Sequence, residues 1–336
     1  MKEALFYTKL DNGKIGCNLC NHRCIISINS RGICGVRENR EGTLYSLVYG
    51  KVIAKAIDPI EKKPLFHFYP GSASYSIATV GCNFRCLHCQ NFSIAHYTRY
   101  YKDIQGEELS AEEIVKDAKS SNCESISYTY TEPTIFIEFA YDCMRLAHKE
   151  KIKNVFVSNG YISEEALRFI APYLDAINVD LKGDEGFYKK ICGAKLEPVM
   201  ENIKLLKELG IWVEVTTLII PELNDSEDFL KRVARFLYSI DPAIPWHVSR
   251  FYPKFQILDK PVTPVETLIK AREIGFQEGL KFVYTGNIQG DKGENTYCPN
   301  CKSLLIERFG YFINKINIKN SRCLFCGNLI EGKGFP

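Results

Sequence analysis

The chain has 336 residues, 46% of them hydrophobic and 25% charged, with a formal net charge of +3 and fourteen cysteines. That balance excludes a disordered or collagen-like chain and suits about two domains, or one barrel with appendages. No apolar run reaches the roughly 18 residues that span a bilayer. The opening Met1-Lys2-Glu3-Ala4-Leu5-Phe6-Tyr7 breaks at Thr8-Lys9, too soon for a signal peptide, so a cytoplasmic protein with no membrane contact is expected.

Residues 1–50 hold Cys17, Cys20, Cys24 and Cys34, with seven Lys and Arg against four Asp and Glu. Residues 290–336 hold Cys298, Cys301, Cys323 and Cys326 with the same surplus. A divalent metal held by four thiolates carries a charge of −2, which a local positive surplus offsets. Nucleic-acid binding is the weaker explanation, because no basic stripe interleaves with aromatics. Each end is too short to bury much without a metal staple, and close cysteine pairs in a reducing compartment favour chelation over disulfides. The Cys298-Pro299-Asn300-Cys301 and Cys323-Leu324-Phe325-Cys326 knuckles, 21 residues apart, have zinc-ribbon spacing. The N-terminal set is looser, with nine residues before Cys34. Zinc is expected there too, with a second iron–sulfur cluster as the alternative.

Between the ends, short β-branched runs at residues 74–80, 125–130, 154–158, 176–181, 211–220, 244–251 and 281–285 alternate with amphipathic stretches. Capping signals bound the latter: Ser110-Ala111-Glu112-Glu113 is a capping-box pattern, Ser226 precedes Glu227-Asp228, Gly210 closes a helix ending at Leu209, Pro264 opens one and Gly279 ends it. Strand–helix alternation argues for parallel strands with crossover helices. Six or seven units fit a partial barrel better than a closed one. The expected architecture is α/β: a partial (β/α) barrel over residues 51–289, with small metal-binding, zinc-ribbon-like modules at residues 1–50 and 290–336.

The first unit is unusual. Some 28 irregular residues (81–108) separate its strand from its helix, and they open on Gly81-Cys82-Asn83-Phe84-Arg85-Cys86-Leu87-His88-Cys89. Long irregular stretches in compact domains usually carry function. A cubane iron–sulfur cluster takes one thiolate per iron, and this loop supplies three. One iron stays open, as a catalytic metal keeps a position for substrate. A zinc site completed by His88 or His96 is the alternative.

The CxxxCxxC triplet directly after the first strand of an α/β barrel resembles the radical S-adenosylmethionine (SAM) superfamily. Ahead of it, Asp58-Pro59-Ile60-Glu61-Lys62-Lys63-Pro64-Leu65-Phe66-His67-Phe68-Tyr69-Pro70-Gly71 resembles the pyruvate formate-lyase activating enzyme branch. The Cys17–Cys34 pattern and Thr129-Tyr130-Thr131-Glu132-Pro133-Thr134 are similar to AmmeMemoRadiSam-type proteins. The resemblance implies a 4Fe-4S cluster on Cys82, Cys86 and Cys89 whose open iron binds SAM. It also implies reductive cleavage to a 5′-deoxyadenosyl radical for hydrogen abstraction, and a low-potential donor such as a ferredoxin or flavodoxin. Activation of a glycyl radical enzyme is the expected use. Radical modification of another protein or a small molecule is one alternative, and a non-catalytic metal-bound adaptor another.

Barrel enzymes build sites from loops at the carboxyl ends of their strands. The residues there are Thr131-Glu132 after the second strand, Asn159-Gly160 after the third and Asp180-Leu181-Lys182 after the fourth; on the sixth, His247 alternates with Ser249 and Phe251. The resemblance implies SAM contacts at Glu132, Asn159, Asp180, Lys182 and His247, with His88 in the place of an adenine-contacting aromatic. Where that family has Gly-Gly-Glu, this chain has Tyr130-Thr131-Glu132. Glu132 as a helix cap, Asp180 with Lys182 as a structural ion pair, and His247 as a core histidine are the structural alternatives. Cys192, after the fourth strand, is expected on the open face as a hydrogen donor or substrate contact, against an inert buried thiol; Cys123 and Cys143 read as core thiols in helical stretches.

Overall fold

The computed structural model describes residues 1–288 and 290–336. Its centre is one eight-stranded sheet. The strands are β1 (Ala54–Pro59), β2 (Ala73–Ala78), β3 (Ser125–Tyr128), β4 (Lys153–Ser158), β5 (Ala176–Asp180), β6 (Trp212–Ile219), β7 (Trp246–Arg250) and β8 (Val283–Gly286). They lie side by side in sequence order. All neighbours from β2 to β8 are parallel, and β1 alone is antiparallel, against β2. The sheet runs from β8 at one edge to β1 at the other without closing, so the partial barrel expected from the alternation is present. The antiparallel β1 is an addition. Its alternation Ala54-Lys55-Ala56-Ile57 is weak, and its register with β2 (Ala54↔Ala78 to Pro59↔Ala73) is a tertiary choice.

Helices α1 (Ala111–Ser120), α2 (Ile137–Lys149), α3 (Glu164–Ile170), α4 (Glu197–Glu208), α5 (Glu227–Ile240) and α6 (Val265–Gln277) fill the crossovers. Ser110 and Glu113 form the reciprocal capping box, and the Ser226 hydroxyl accepts from the Phe229 amide. Pro264 is the residue before α6 rather than its first, and Gly279 follows the helix end at φ +99°. Because side chains alternate along a strand, Tyr75, Ile77, Ile126, Phe156, Val179, Val215 and Val248 face the helices in one continuous core. The opposite face, toward the barrel interior, carries Ser74, Ser127, Asn178, Glu214, Thr216 and His247. Cys143 lies in α2; Cys123, expected in a helix, sits instead in the turn before β3, and both are buried. Among the described residues no helix is long and apolar enough to cross a membrane.

The two ends dock on opposite ends of the sheet. Residues 1–50 meet the loops at the carboxyl ends of the strands: the Asn21 amide donates to the Tyr161 carbonyl at 3.0 Å, and Ser163 to Leu19 at 3.0 Å. The Arg37 guanidinium pairs with Glu138 of α2 at 2.8 Å, both buried. The C-terminal hairpin Leu304–Phe309 and Phe312–Ile316 shares a core with Phe66, Ala243, Phe282 and Tyr284 at the amino ends. Arg308 fastens it there. Its guanidinium donates to the Phe66 carbonyl at 2.9 Å and the Thr296 hydroxyl at 2.8 Å, lies 4.2 Å over the Phe66 ring, and is 3.7 Å from Glu61, whose side chain is equally buried.

Removing one partner of a buried ion pair costs about 3–5 kcal/mol. Arg308→Met should therefore lower the stability of the chain by about that much, and the double change with Glu61→Gln should recover part of it. Thermal unfolding of the two variants beside the parent checks this.

Candidate cluster and cofactor site

The triplet loop leaves β2 through Gly81, which has φ +98°. A side chain there would stand 2.9 Å from the Cys34 carbonyl oxygen and 2.7 Å from Val36, so only glycine allows the N-terminal module this close. The following turns have no ladder of their own and borrow acceptors. The Arg85 amide donates to the Cys192 carbonyl at 2.7 Å and Leu87 to Ile191 at 3.1 Å. Those carbonyls come from a π-helical turn, Tyr188–Cys192, closed by Gly193 in the left-handed region. The Arg99 guanidinium donates to the Phe84 carbonyl at 2.6 Å.

Cys82, Cys86 and Cys89 thus share one partly enclosed loop, but they are not drawn onto one point. A single tetrahedral zinc with bonds of about 2.3 Å would hold its sulfurs roughly 3.8 Å apart. Among the described residues, only Cys298, Cys301, Cys323 and Cys326 form a group of three or more potential ligands within 4.8 Å of one another. The triplet's wider spacing fits a cluster, in which each thiolate takes a different iron.

Asp180 and Lys182 pair at 2.7 Å beside the loop, Asp180 about one-third exposed and Lys182 15%. Burial opposes the Lys182 charge, yet the neighbouring Asp180 carboxylate and the Cys86 sulfur hold its ammonium well above the ordinary lysine range. Burial, reinforced by Lys182, pushes the His88 imidazole down to about 3, so His88 is neutral, and its Nδ1 has no partner. Asn178 Oδ1 on β5 and Thr216 Oγ1 on β6 are likewise buried without partners on the interior face. Buried polar atoms are normally satisfied. These orphans, with a carboxylate and an ammonium at the rim, suit a polar zwitterionic ligand such as SAM. Asn178 and Thr216 escape a reading of strand ends alone; their signal is period two, each sharing a face with Asp180 or Glu214.

Several expected contacts are committed elsewhere. Glu132 is 1% exposed, and both oxygens are taken: Oε1 accepts from the Thr134 amide (3.0 Å) and hydroxyl (2.6 Å) and from Ser158 Oγ (2.8 Å), and Oε2 from the Asn159 amide (2.8 Å). It caps the short helix Pro133–Phe136 and ties the loops after β3 and β4, so the helix-cap reading replaces the ligand one. His247 lies near the amino end of β7, where Nε2 meets Glu214 Oε2 at 2.7 Å and the ring packs on Phe66 and Tyr284. With Nε2 committed to buried Glu214 and the ring packed between neighbours, His247 has the setting of a core histidine. Asn159 acts on the loop itself: Nδ2 donates to Asn83 Oδ1 at 2.7 Å and lies 3.9 Å from Cys82 Sγ. The absent Gly-Gly pair is compensated at Tyr130, which takes φ +61°, a region usually left to glycine. Its hydroxyl bonds Asp58 and its ring lies 4.6 Å from the Lys63 ammonium.

Cys192 takes the buried one of its two readings. Fully buried rather than on the open face, its thiol stands beside the Cys86 sulfur. That neighbour holds Cys86 below the ordinary thiol range, while burial drives Cys192 well above it, which leaves the proton of the pair on Cys192. Its geometry is that of a positioning residue, and its burial leaves no route to substrate. A donor to a cluster thiolate raises the reduction potential. Cys192→Ala should lower the midpoint potential of the reconstituted cluster while leaving its iron content unchanged; potentiometric titration followed by spin resonance checks this.

The Radical SAM superfamily pattern matches residues 76–233. An uncharacterized protein of Methanocaldococcus jannaschii is 50% identical over 334 residues, covering 98% of this chain and 99% of its own. The pyruvate formate-lyase-activating enzyme of Clostridium pasteurianum is 24% identical over 218 residues, covering 60% of this chain and 87% of its own. Among solved structures, Streptococcus suis SuiB bound to S-adenosylmethionine aligns with a TM-score of 0.51 at 15% identity, over 71% of this chain and 56% of that one. A radical SAM methyltransferase from Sphaerobacter thermophilus gives 0.50 at 15% identity, over 70% and 71%. At such identities these structures speak to the fold alone, and the fold agrees with the cysteine spacing: the chain belongs to the radical SAM superfamily, with relatives of the pyruvate formate-lyase activating type.

Proposed function

We propose that the chain reductively cleaves SAM at a 4Fe-4S cluster held by Cys82, Cys86 and Cys89, and directs the resulting hydrogen abstraction at a glycine backbone of a partner enzyme. When bound, cluster and SAM supply the one-electron cleavage of the sulfonium to methionine and a 5′-deoxyadenosyl radical. The chain's own residues bind and orient. Asp180 and Lys182 offer a carboxylate to an ammonium and an ammonium to a carboxylate; neutral His88 offers an unpartnered ring nitrogen; Asn178 and Thr216 offer hydrogen bonds from the interior face; Asn159 and Cys192 hold the loop sulfurs. The observation that carries this reading is the three thiols on one loop, spread beyond single-metal distance beside orphaned polar atoms. An adaptor has no use for those atoms.

The activating-enzyme part is supported by the relationship to the Clostridium pasteurianum enzyme. A reduced ferredoxin or flavodoxin in the cytoplasm is the proposed electron source, and zinc the proposed staple of the C-terminal four cysteines.

Anaerobic, cluster-loaded chain incubated with dithionite and SAM should release 5′-deoxyadenosine, and the Cys82→Ala/Cys86→Ala/Cys89→Ala chain should release none. Absence of release from an intact cluster would support an adaptor instead. Lys182→Met should weaken SAM binding about 10- to 100-fold, the range of one charged hydrogen bond, as measured by equilibrium binding. Incubation with candidate partner enzymes should leave a stable glycyl radical signal in one of them; if none carries it, the activating part of the proposal fails.

A further inference from the structure

At the C-terminal ribbon the sulfurs stand where one metal ion holds them. Cys298 and Cys326 are 3.7 Å apart at Sγ, as are Cys301 and Cys323, close to the roughly 3.8 Å of a tetrahedral zinc site. The N-terminal four are arranged otherwise. Cys17, Cys20, Cys24 and Cys34 all line one small enclosed cavity. Yet among the described residues no three of their sulfurs lie within 4.8 Å of one another, which is true of the triplet as well. Four thiols around a shared space, too far apart for one ion, fit a group that offers each sulfur its own metal atom.

The cavity has a second feature that points to an acceptor-rich occupant. Arg37 and Asn83 also line it, at 1% and 0% exposure. Arg37 Nε and Asn83 Nδ2 have no hydrogen-bond partner, although the rest of each side chain is fully engaged: Arg37 with Glu138 and the Leu5 carbonyl, and Asn83 Oδ1 with Asn159. Buried N–H groups without acceptors are costly, and the sulfurs of an iron–sulfur cluster accept such bonds. The guanidinium also offsets the negative charge of four thiolates.

We propose that Cys17, Cys20, Cys24 and Cys34 bind a second iron–sulfur cluster of the 4Fe-4S type with all four irons capped by cysteine, in place of the zinc their number first suggested. The site abuts the triplet loop. Asn83 follows Cys82 in sequence, with Oδ1 3.8 Å from its sulfur, and the His22 ring nitrogen is 2.8 Å from the Asn83 carbonyl. The Cys34 carbonyl packs on Gly81. This contact makes the second cluster a one-electron store. It accepts one electron from an external low-potential donor and returns to its oxidised state as that electron passes to the triplet's cluster; no bond is made or broken and no proton moves. The storage role rests on the function proposed above, whereas the metal content of the site does not.

The Cys82→Ala/Cys86→Ala/Cys89→Ala chain, purified and reconstituted without oxygen, should retain about four irons and four acid-labile sulfides. After dithionite it should give the spin-resonance signal of a reduced cluster, unchanged by SAM. About two zincs with neither iron nor sulfide would overturn the proposal. Should that variant fail to fold, the unaltered chain decides the matter, with about eight irons expected and about four overturning the second cluster. Eight irons without 5′-deoxyadenosine from dithionite and SAM would sink the function of the previous section and leave this site standing. For the store itself, Cys20→Ser/Cys24→Ser should largely abolish 5′-deoxyadenosine release driven by reduced flavodoxin while sparing release driven by dithionite; equal losses would overturn that role.

Discussion

The amides of an irregular buried loop must find acceptors that no helix or strand provides, and the segment after β2 shows how much follows from that. Arg85 and Leu87 are satisfied only because residues 188–193 turn their carbonyls toward them, and they can do so only by forming a π-helical turn that ends in left-handed Gly193. Such turns are rare and recur at functional sites. The same turn delivers the Cys192 thiol to Cys86. On the other side, the missing side chain of Gly81 lets the Cys34 carbonyl approach. The triplet is therefore held between a distant crossover and the N-terminal module rather than by its own backbone, and each neighbour brings its own cysteines within reach.

The interior of the partial barrel repeats the theme of polar groups that need partners. Toward the amino ends, the residues between β1 and β2 plug the opening. The Phe66 and His67 amides donate to Glu214, which also accepts from Trp212 Nε1 and meets His247, and Arg308 closes the set from the C-terminal hairpin. Every acceptor of Glu214 is used there, and the result is structural. On the same interior face, level with Glu214 and His247, Asn178 Oδ1 and Thr216 Oγ1 keep no partner, and neither does His88 Nδ1 in the triplet loop. Antiparallel β1 carries Asp58, which accepts from the half-buried Tyr130 hydroxyl and the buried Lys63 ammonium.

What the residue order alone determined is what local spacing can carry. Short β-branched runs marked all seven parallel strands, the Ser110–Glu113 pair marked a helix start, and three cysteines within eight residues marked a cluster loop, because neighbours that close cannot be separated by any fold. The two terminal cysteine sets were legible as sets. Their chain spacing differs, but how far apart the fold places their sulfurs was not readable from it.

The tertiary structure decided the rest. Glu132, His247 and Cys192 each had a functional and a structural reading, and nothing local separates the two. The choice depends on Ser158 and Asn159 reaching Glu132 from 26 and 27 positions away, on Glu214 reaching His247 from 33, and on Cys86 facing Cys192 across two strands of the barrel. The β1 strand, the left-handed Tyr130 and the orphaned atoms of Asn178 and Thr216 belong to the same class. The physical reason is common to all of them: a buried polar group is satisfied by whatever the fold brings next to it, and chain spacing says which partners exist but not which of them meet.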